Sequence, residues 1–147
     1  MRDHGEVFTA EREVKAMCDL ISEDMYSDLT KTFLEPACGE GAFLVEVLRR
    51  KLKYCESEKD GLKALHSLYG VDIQADNVEA TRKNLIAVYI ERFPNATDVA
   101  IKTAIAVVRY NIVCDDFLNP KTEAVRSWGV TANADYVKAI ERLKSRS

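Results

Sequence analysis

The run "TFLEPACGEGAFLVEVL", Thr32 to Leu48, limits what this chain can fold into more than any other stretch. A short apolar segment ended by Pro36 passes into an amphipathic helix. Two of the chain's six glycines, Gly39 and Gly41, fill the crossing one residue apart. A strand that turns into a helix through Gly-x-Gly lets backbone lie close to a ligand, and the helix N-terminus beyond it offers unpaired N–H groups to an anion. In "GAFLVEVLRRKLKYCE", Phe43, Leu44, Val47 and Leu48 make one apolar face. The basic residues gather late, where the helix dipole favours them.

The same alternation continues downstream. Strands are predicted at Thr32 to Glu35, Tyr69 to Ile73 and Asn111 to Cys114. Helices are predicted over "SEKDGLKALHSL", "ADNVEATRKNLIAVYIERF" and, after a turn, "PNATDVAIKTAIAVVRY". Upstream, "TAEREVKAMCDLISEDM" places Val14, Met17, Cys18 and Ile21 at helical spacing, with Thr9 as N-cap. Arg12 stands where a capping box would want Glu or Gln, so that start signal is incomplete. Strands alternating with helices predict an α/β domain with a parallel sheet. Right-handed crossovers order the strands third-second-first, which is half of a doubly wound sheet. No fourth strand is read beside the first, so the edge of "TFLEP" is open unless the tail or another chain covers it. The reading is one domain: residues 1–118 carry the ligand-binding motifs, and 119–147 form a tail with a helix from about Ala134, packed through Trp128 and Tyr136.

Composition narrows the partners. Hydrophobic residues are 47% and charged ones 31%, ordinary for a globular domain. No apolar run approaches the roughly 20 residues of a membrane helix, and "MRDHGEVFTAEREV" lacks the apolar core of a signal peptide. A cytoplasmic location is therefore expected. The four cysteines have no metal-ligand spacing and read as small buried hydrophobes, although Cys38 occupies a helix N-terminus, where a thiol pKa can fall. The net charge is −3 and there is no basic arm, so a main DNA-binding surface is not expected here. His4 and His66 are isolated, and no nucleophile-base pair offers chemistry of its own.

Acidic residues close the other two strands. Asp72 ends "LYGVDI", one strand over from the glycine loop, where a carboxylate can accept from both hydroxyls of a ribose. Asp115 and Asp116 follow the third strand, where a carboxylate can accept from an adenine amino group. Taken singly, Asp72 could be a helix cap and the paired acids a solvated turn. Together the three strand ends describe a pocket for an adenosine compound. A dinucleotide site would carry a third glycine where Leu44 stands, and no P-loop lysine is present. The loop then suits a small anion such as a carboxylate attached to adenosine, a description that S-adenosylmethionine meets.

"FLEPACGEGAFL" resembles the cofactor motif of adenine-specific, amino-methylating DNA methyltransferases of restriction-modification systems. "HGEVFTAEREVKAMCDLI" is similar to that family's N-terminal segment, "YGVDIQADNVEATRKNL" to its ribose motif and "NIVCDDFL" to its adenine motif, in the family's order. The resemblance implies a Rossmann-like methyltransferase fold binding S-adenosylmethionine. It implies that Thr9 and the backbone of Ala37, Cys38, Gly39 and Gly41 hold the methionine end, with Glu35 near the ammonium. Asp72 would take the ribose hydroxyls, Ile73 the adenine face, Asp116 the adenine amine, and Phe117 would pack on the ring.

Two departures stand out. Ala10 replaces the usual proline, which loosens the turn that closes over the cofactor. The family's catalytic Asn/Asp-Pro-Pro-Tyr/Phe is not found: in "FLNPKT", Lys121 and Thr122 stand in place of the second proline and the aromatic. The expectation is a cofactor-binding part, inactive alone, that reaches DNA only within a larger or split enzyme. A partner chain or self-association would complete its sheet. The alternative is a non-enzymatic module that uses the fold for assembly or cofactor sensing.

Overall fold

The computed structural model describes residues 4–131. Three parallel strands, β1 (Phe33–Glu35), β2 (Leu68–Asp72) and β3 (Ile112–Cys114), lie in the order β1-β2-β3. Phe33 pairs with Leu68, Gly70 with Ile112 and Asp72 with Cys114. The strand order and direction agree with the sequence expectation. So does the connection of the strands by helices: α3 (Ala42–Leu52) and α4 (Glu58–His66) between β1 and β2, then α5 (Ala75–Arg92) and α6 (Asp98–Asn111) between β2 and β3.

Strand parity divides the core. Phe33, Leu68 and Ile112 face the crossover helices, packing with Leu44, Val47, Leu48, Leu65 and Leu85. Leu34 and Val71 face the other way, onto a smaller cluster with Val125 and partly buried Tyr69, Phe117 and Trp128. Val125 and Trp128 belong to α7 (Glu123–Thr131), and the Trp128 ring meets Tyr69 edge-on with centroids 5.1 Å apart. α7 was not read from the sequence; the helix expected from about Ala134 lies outside the described residues, as does Tyr136. α7 covers a face of β1 rather than its edge. Among the described residues β1 pairs with β2 alone.

Gly70 explains how α3 reaches the sheet without a third glycine in its loop. A Cβ added to Gly70 would stand 2.9 Å from Leu44 Cδ1 and 3.2 Å from the Cys38 Cβ. The strand, instead of the helix, supplies the missing side chain, and Leu44 fills the space.

Three expectations are corrected. α1 runs over His4–Asp19, so Thr9 lies inside the helix and does not cap it; with the capping box incomplete, nothing stops the helix at Thr9. A one-turn helix, α2 (Asp24–Ser27), was not foreseen; it buries Tyr26, whose hydroxyl donates to the Cys18 carbonyl at 2.7 Å. Cys18, Cys38 and Cys55 are buried as expected, but Cys114, at the end of edge strand β3, is exposed.

Candidate functional site

The glycine loop is a tied structure. Cys38 N–H donates to the Val71 carbonyl at 2.8 Å, and Gly39 N–H to Asp72 Oδ2 at 3.0 Å. From α5, Thr81 Oγ1 donates to the Gly39 carbonyl at 2.8 Å and Asn84 Nδ2 to the Glu40 carbonyl at 2.9 Å. Both glycines are left-handed, Gly39 with φ +55° and Gly41 with φ +91°. They differ in surroundings. A Cβ on Gly41 would stand 2.9 Å from Thr81 Cγ2, whereas a Cβ on Gly39 would meet nothing within 4 Å. Gly41 is thus a packing requirement, and Gly39 borders open space. Gly41 is also the N-cap of α3, and no side chain caps that helix.

Asp72 is the hinge of the site. Besides Gly39, its Oδ1 accepts from Gln74 N–H at 2.8 Å and Asn77 Nδ2 at 3.2 Å. A carboxylate offers roughly four lone-pair positions, so these three donors leave one open. The helix-cap reading of Asp72 is thereby partly true: it holds the entry to α5, whose N-cap, Gln74, makes no side-chain cap bond. Next to it Ile73 is 71% exposed.

At the end of β3, Asp115 N–H donates to the Asp72 carbonyl at 3.0 Å, which puts the paired acids beside Asp72. The pair divides sharply. Asp115 is buried, and its carboxylate accepts from the N–H groups of Asp116 (2.7 Å), Lys121 (3.0 Å) and Thr122 (3.0 Å) and from Thr122 Oγ1 (2.7 Å). Burial alone would raise its pKa, but these donors hold it well below the usual carboxylate range. Asp116 is exposed, and among the described residues its Oδ1 accepts from Leu118 N–H alone, at 3.0 Å. Of the two, only Asp116 has acceptor capacity to offer a ligand. Phe117 turns partly into the cluster under α7.

On β1, Glu35 is buried and its Oε1 accepts from Ala37 N–H at 3.2 Å. Cys38 is buried too, as expected of a small packed residue, and burial pushes its thiol up to about 11; it stands three residues before Gly41, the N-cap of α3, rather than at the helix N-terminus. It stays protonated and serves as packing. The side chain of Thr9 lies outside the described residues.

The structure therefore gathers Glu35, Ala37, Cys38, Gly39, Gly41, Asp72, Ile73, Asp116 and Phe117 at the carboxyl ends of three adjoining strands, where open α/β sheets bind ligands. Sequence reasoning missed the clamp from α5. Asn77, Thr81 and Asn84 stand at i, i+4 and i+7, so three short polar side chains share one helical face turned to the loop. That periodicity was the available signal. Among the described residues no cluster of His, Cys, Asp or Glu could hold a metal ion, and no helix is long and apolar enough to cross a membrane.

The decisive comparison is with protein families: the model described as N-6 DNA methylase matches residues 1–108. The chain belongs to the N-6 DNA methylase family. No curated protein and no solved structure matches it. Family membership relates the chain to DNA adenine methyltransferases, a family that implies a methyl donor. The match ends between α5 and β3, within α6, so the paired acids after β3 are assigned by geometry rather than by the family match.

Proposed function

We propose that these residues form the S-adenosylmethionine-binding part of an adenine-specific DNA methyltransferase of the restriction-modification kind. Its catalytic strand would come from outside the 147 residues. The observation that carries the reading is the convergence of a tied glycine loop, open space at Gly39 and acceptors on Asp72 and Asp116 at neighbouring strand ends. The donor set suits the cofactor. Its ribose would take the open lone pair of Asp72 and displace Asn77, the longest of the three present bonds. Adenine would lie against Ile73 and the free part of Phe117, its amine on Asp116. The methionine end would rest on the backbone of Ala37 to Gly41, with Glu35 and Thr9 beside it. When bound, the cofactor supplies an electrophilic methyl group on sulfur; the residues named here only hold and orient it.

The sequence carries no Asn/Asp-Pro-Pro-Tyr/Phe, and "NPKT" supports that reading structurally: the Lys121 and Thr122 amides are consumed by Asp115. A strand bearing the catalytic residues would pair with the open edge of β1, and DNA would be engaged only in that larger assembly.

Calorimetric titration with S-adenosylmethionine tests the reading. Saturable binding is expected, weakened about 100-fold by Asp72→Ala through the loss of charge-assisted hydrogen bonds. Asn77→Ala removes a competing donor and should leave affinity equal or higher. A folded wild-type chain that releases no heat overturns the proposal, and equal binding by Asp72→Ala overturns the role of that residue.

A further inference from the structure

The amino ends of the strands lie away from the site described above, yet a charge is buried there. Lys51 has no exposed surface, and its Nζ donates to the Lys31 carbonyl (2.6 Å), Ser67 Oγ (2.8 Å) and the Leu29 carbonyl (3.2 Å). All three acceptors are neutral. Asp28, the acid whose charge Lys51 feels most, turns its carboxylate to Thr30 N–H at 3.0 Å and Thr30 Oγ1 at 2.6 Å. Among the described residues no carboxylate forms an ion pair with Lys51. A buried ammonium usually has a counter-ion, because taking the charge out of water is costly. Burial here pushes its pKa down to about 8.

A groove of about 380 Å³ opens just outside. Leu29 and Ser67, which both accept from Lys51, line its wall. From α4 come Lys59, Leu62, Lys63 and His66, at i, i+3, i+4 and i+7 on one helical stripe. Leu29, Leu62 and Val107 give it an apolar floor. Among the described residues no acidic side chain lines the groove, although the chain has 24 acids against 21 lysines and arginines. Cations on an apolar floor, over a buried ammonium that among the described residues has only the Phe33 ring face at 5.2 Å and the more distant Asp28 to offset its charge, select an anionic group that arrives on an apolar carrier.

We propose that this groove receives an acidic segment of a partner polypeptide, seating an apolar side chain on Leu29, Leu62 and Val107 and a neighbouring carboxylate between Lys59 and Lys63. The carboxylate also supplies, across the Ser67 wall, a counter-charge for Lys51, which has no ion-pair partner among the described residues. The apolar floor favours a polypeptide over the phosphate backbone of DNA. Location favours it too: the groove residues Leu29, Thr30 and Thr32 lead directly into β1, whose outer edge is open among the described residues. A segment seated here lies next to backbone that can pair with it. The inference does not depend on the cofactor reading.

The test uses the full chain and two labelled synthetic peptides, one alternating leucine with glutamate and its twin with glutamine in place of glutamate, followed by fluorescence anisotropy. The glutamate peptide should bind, and its twin about tenfold more weakly. Lys59→Gln with Lys63→Gln should also cost about tenfold while leaving the melting temperature unchanged, since both lysines are exposed. In nuclear magnetic resonance the Lys51 ammonium should titrate at higher pH with the glutamate peptide bound. Equal binding of the two peptides, no binding of either, or an unmoved Lys51 overturns the proposal. So does octanoate binding where the peptide does not, or a DNA duplex displacing the peptide from the same lysines.

Discussion

Two ions are buried at opposite ends of one small sheet, and both titrate below their ordinary values, with opposite meaning. Asp115, at the carboxyl ends, is surrounded by N–H and O–H donors, so its lowered pKa records a charge that folding stabilises. Lys51, at the amino ends, has three neutral acceptors and, among the described residues, no carboxylate in an ion pair with it, so its lowered pKa records a charge that folding strains. Hydrogen-bond count alone does not decide whether a buried ion is comfortable. What decides it is whether the hydrogen-bonding partners outweigh desolvation.

Removing Asp115 should have the largest effect. Asp115→Ala leaves the amides of Asp116, Lys121 and Thr122 without their acceptor and should lower stability by about 3 kcal/mol in denaturant unfolding. The sign with pH follows from the depressed pKa. The stabilisation is complete above the unfolded value, near 3.8, and drains away as pH falls below it. The variant should lack that part of the acid unfolding; an identical acid profile would break the comparison. Lys51→Met comes next, at about 1–2 kcal/mol near neutrality, because lost hydrogen bonds are partly offset by relief of a buried charge. Between about 8 and 10.5 the unfolded chain holds more protons than the folded one, so wild-type stability gains with rising pH. The gap to the variant should therefore widen across that window in thermal melts. Asp116→Asn should be the smallest for stability, within about 0.5 kcal/mol, since that side chain is exposed. Its effect should appear instead in cofactor affinity, lowered about tenfold by calorimetry.

The sheet was legible because strand, glycine loop and helix each left a periodic mark, and parallel order follows from crossover handedness. The site's outline was legible for the same reason: ligand residues sit where strands end. The division of labour between Asp115 and Asp116 was not, because it depends on Lys121 and Thr122 folding back across six and seven residues. Lys51 was misread as part of a basic, dipole-favoured helix end. Yet it falls in step with Leu44, Val47 and Leu48, at i+7, i+4 and i+3, on the stripe that faces the core. A charge in register with an apolar face was the signal, and charge-based reasoning overrode it. The presence of α7 was set by packing on the far face of the sheet, which periodicity does not report.

The ties on the glycine loop carry a kinetic consequence. Strand β2 and helix α5 fix its backbone at Cys38, Gly39 and Glu40 before any ligand arrives. A ligand that lands there has almost no chain left to freeze, so its association should proceed in a single concentration-dependent phase, without a slow step of loop closure.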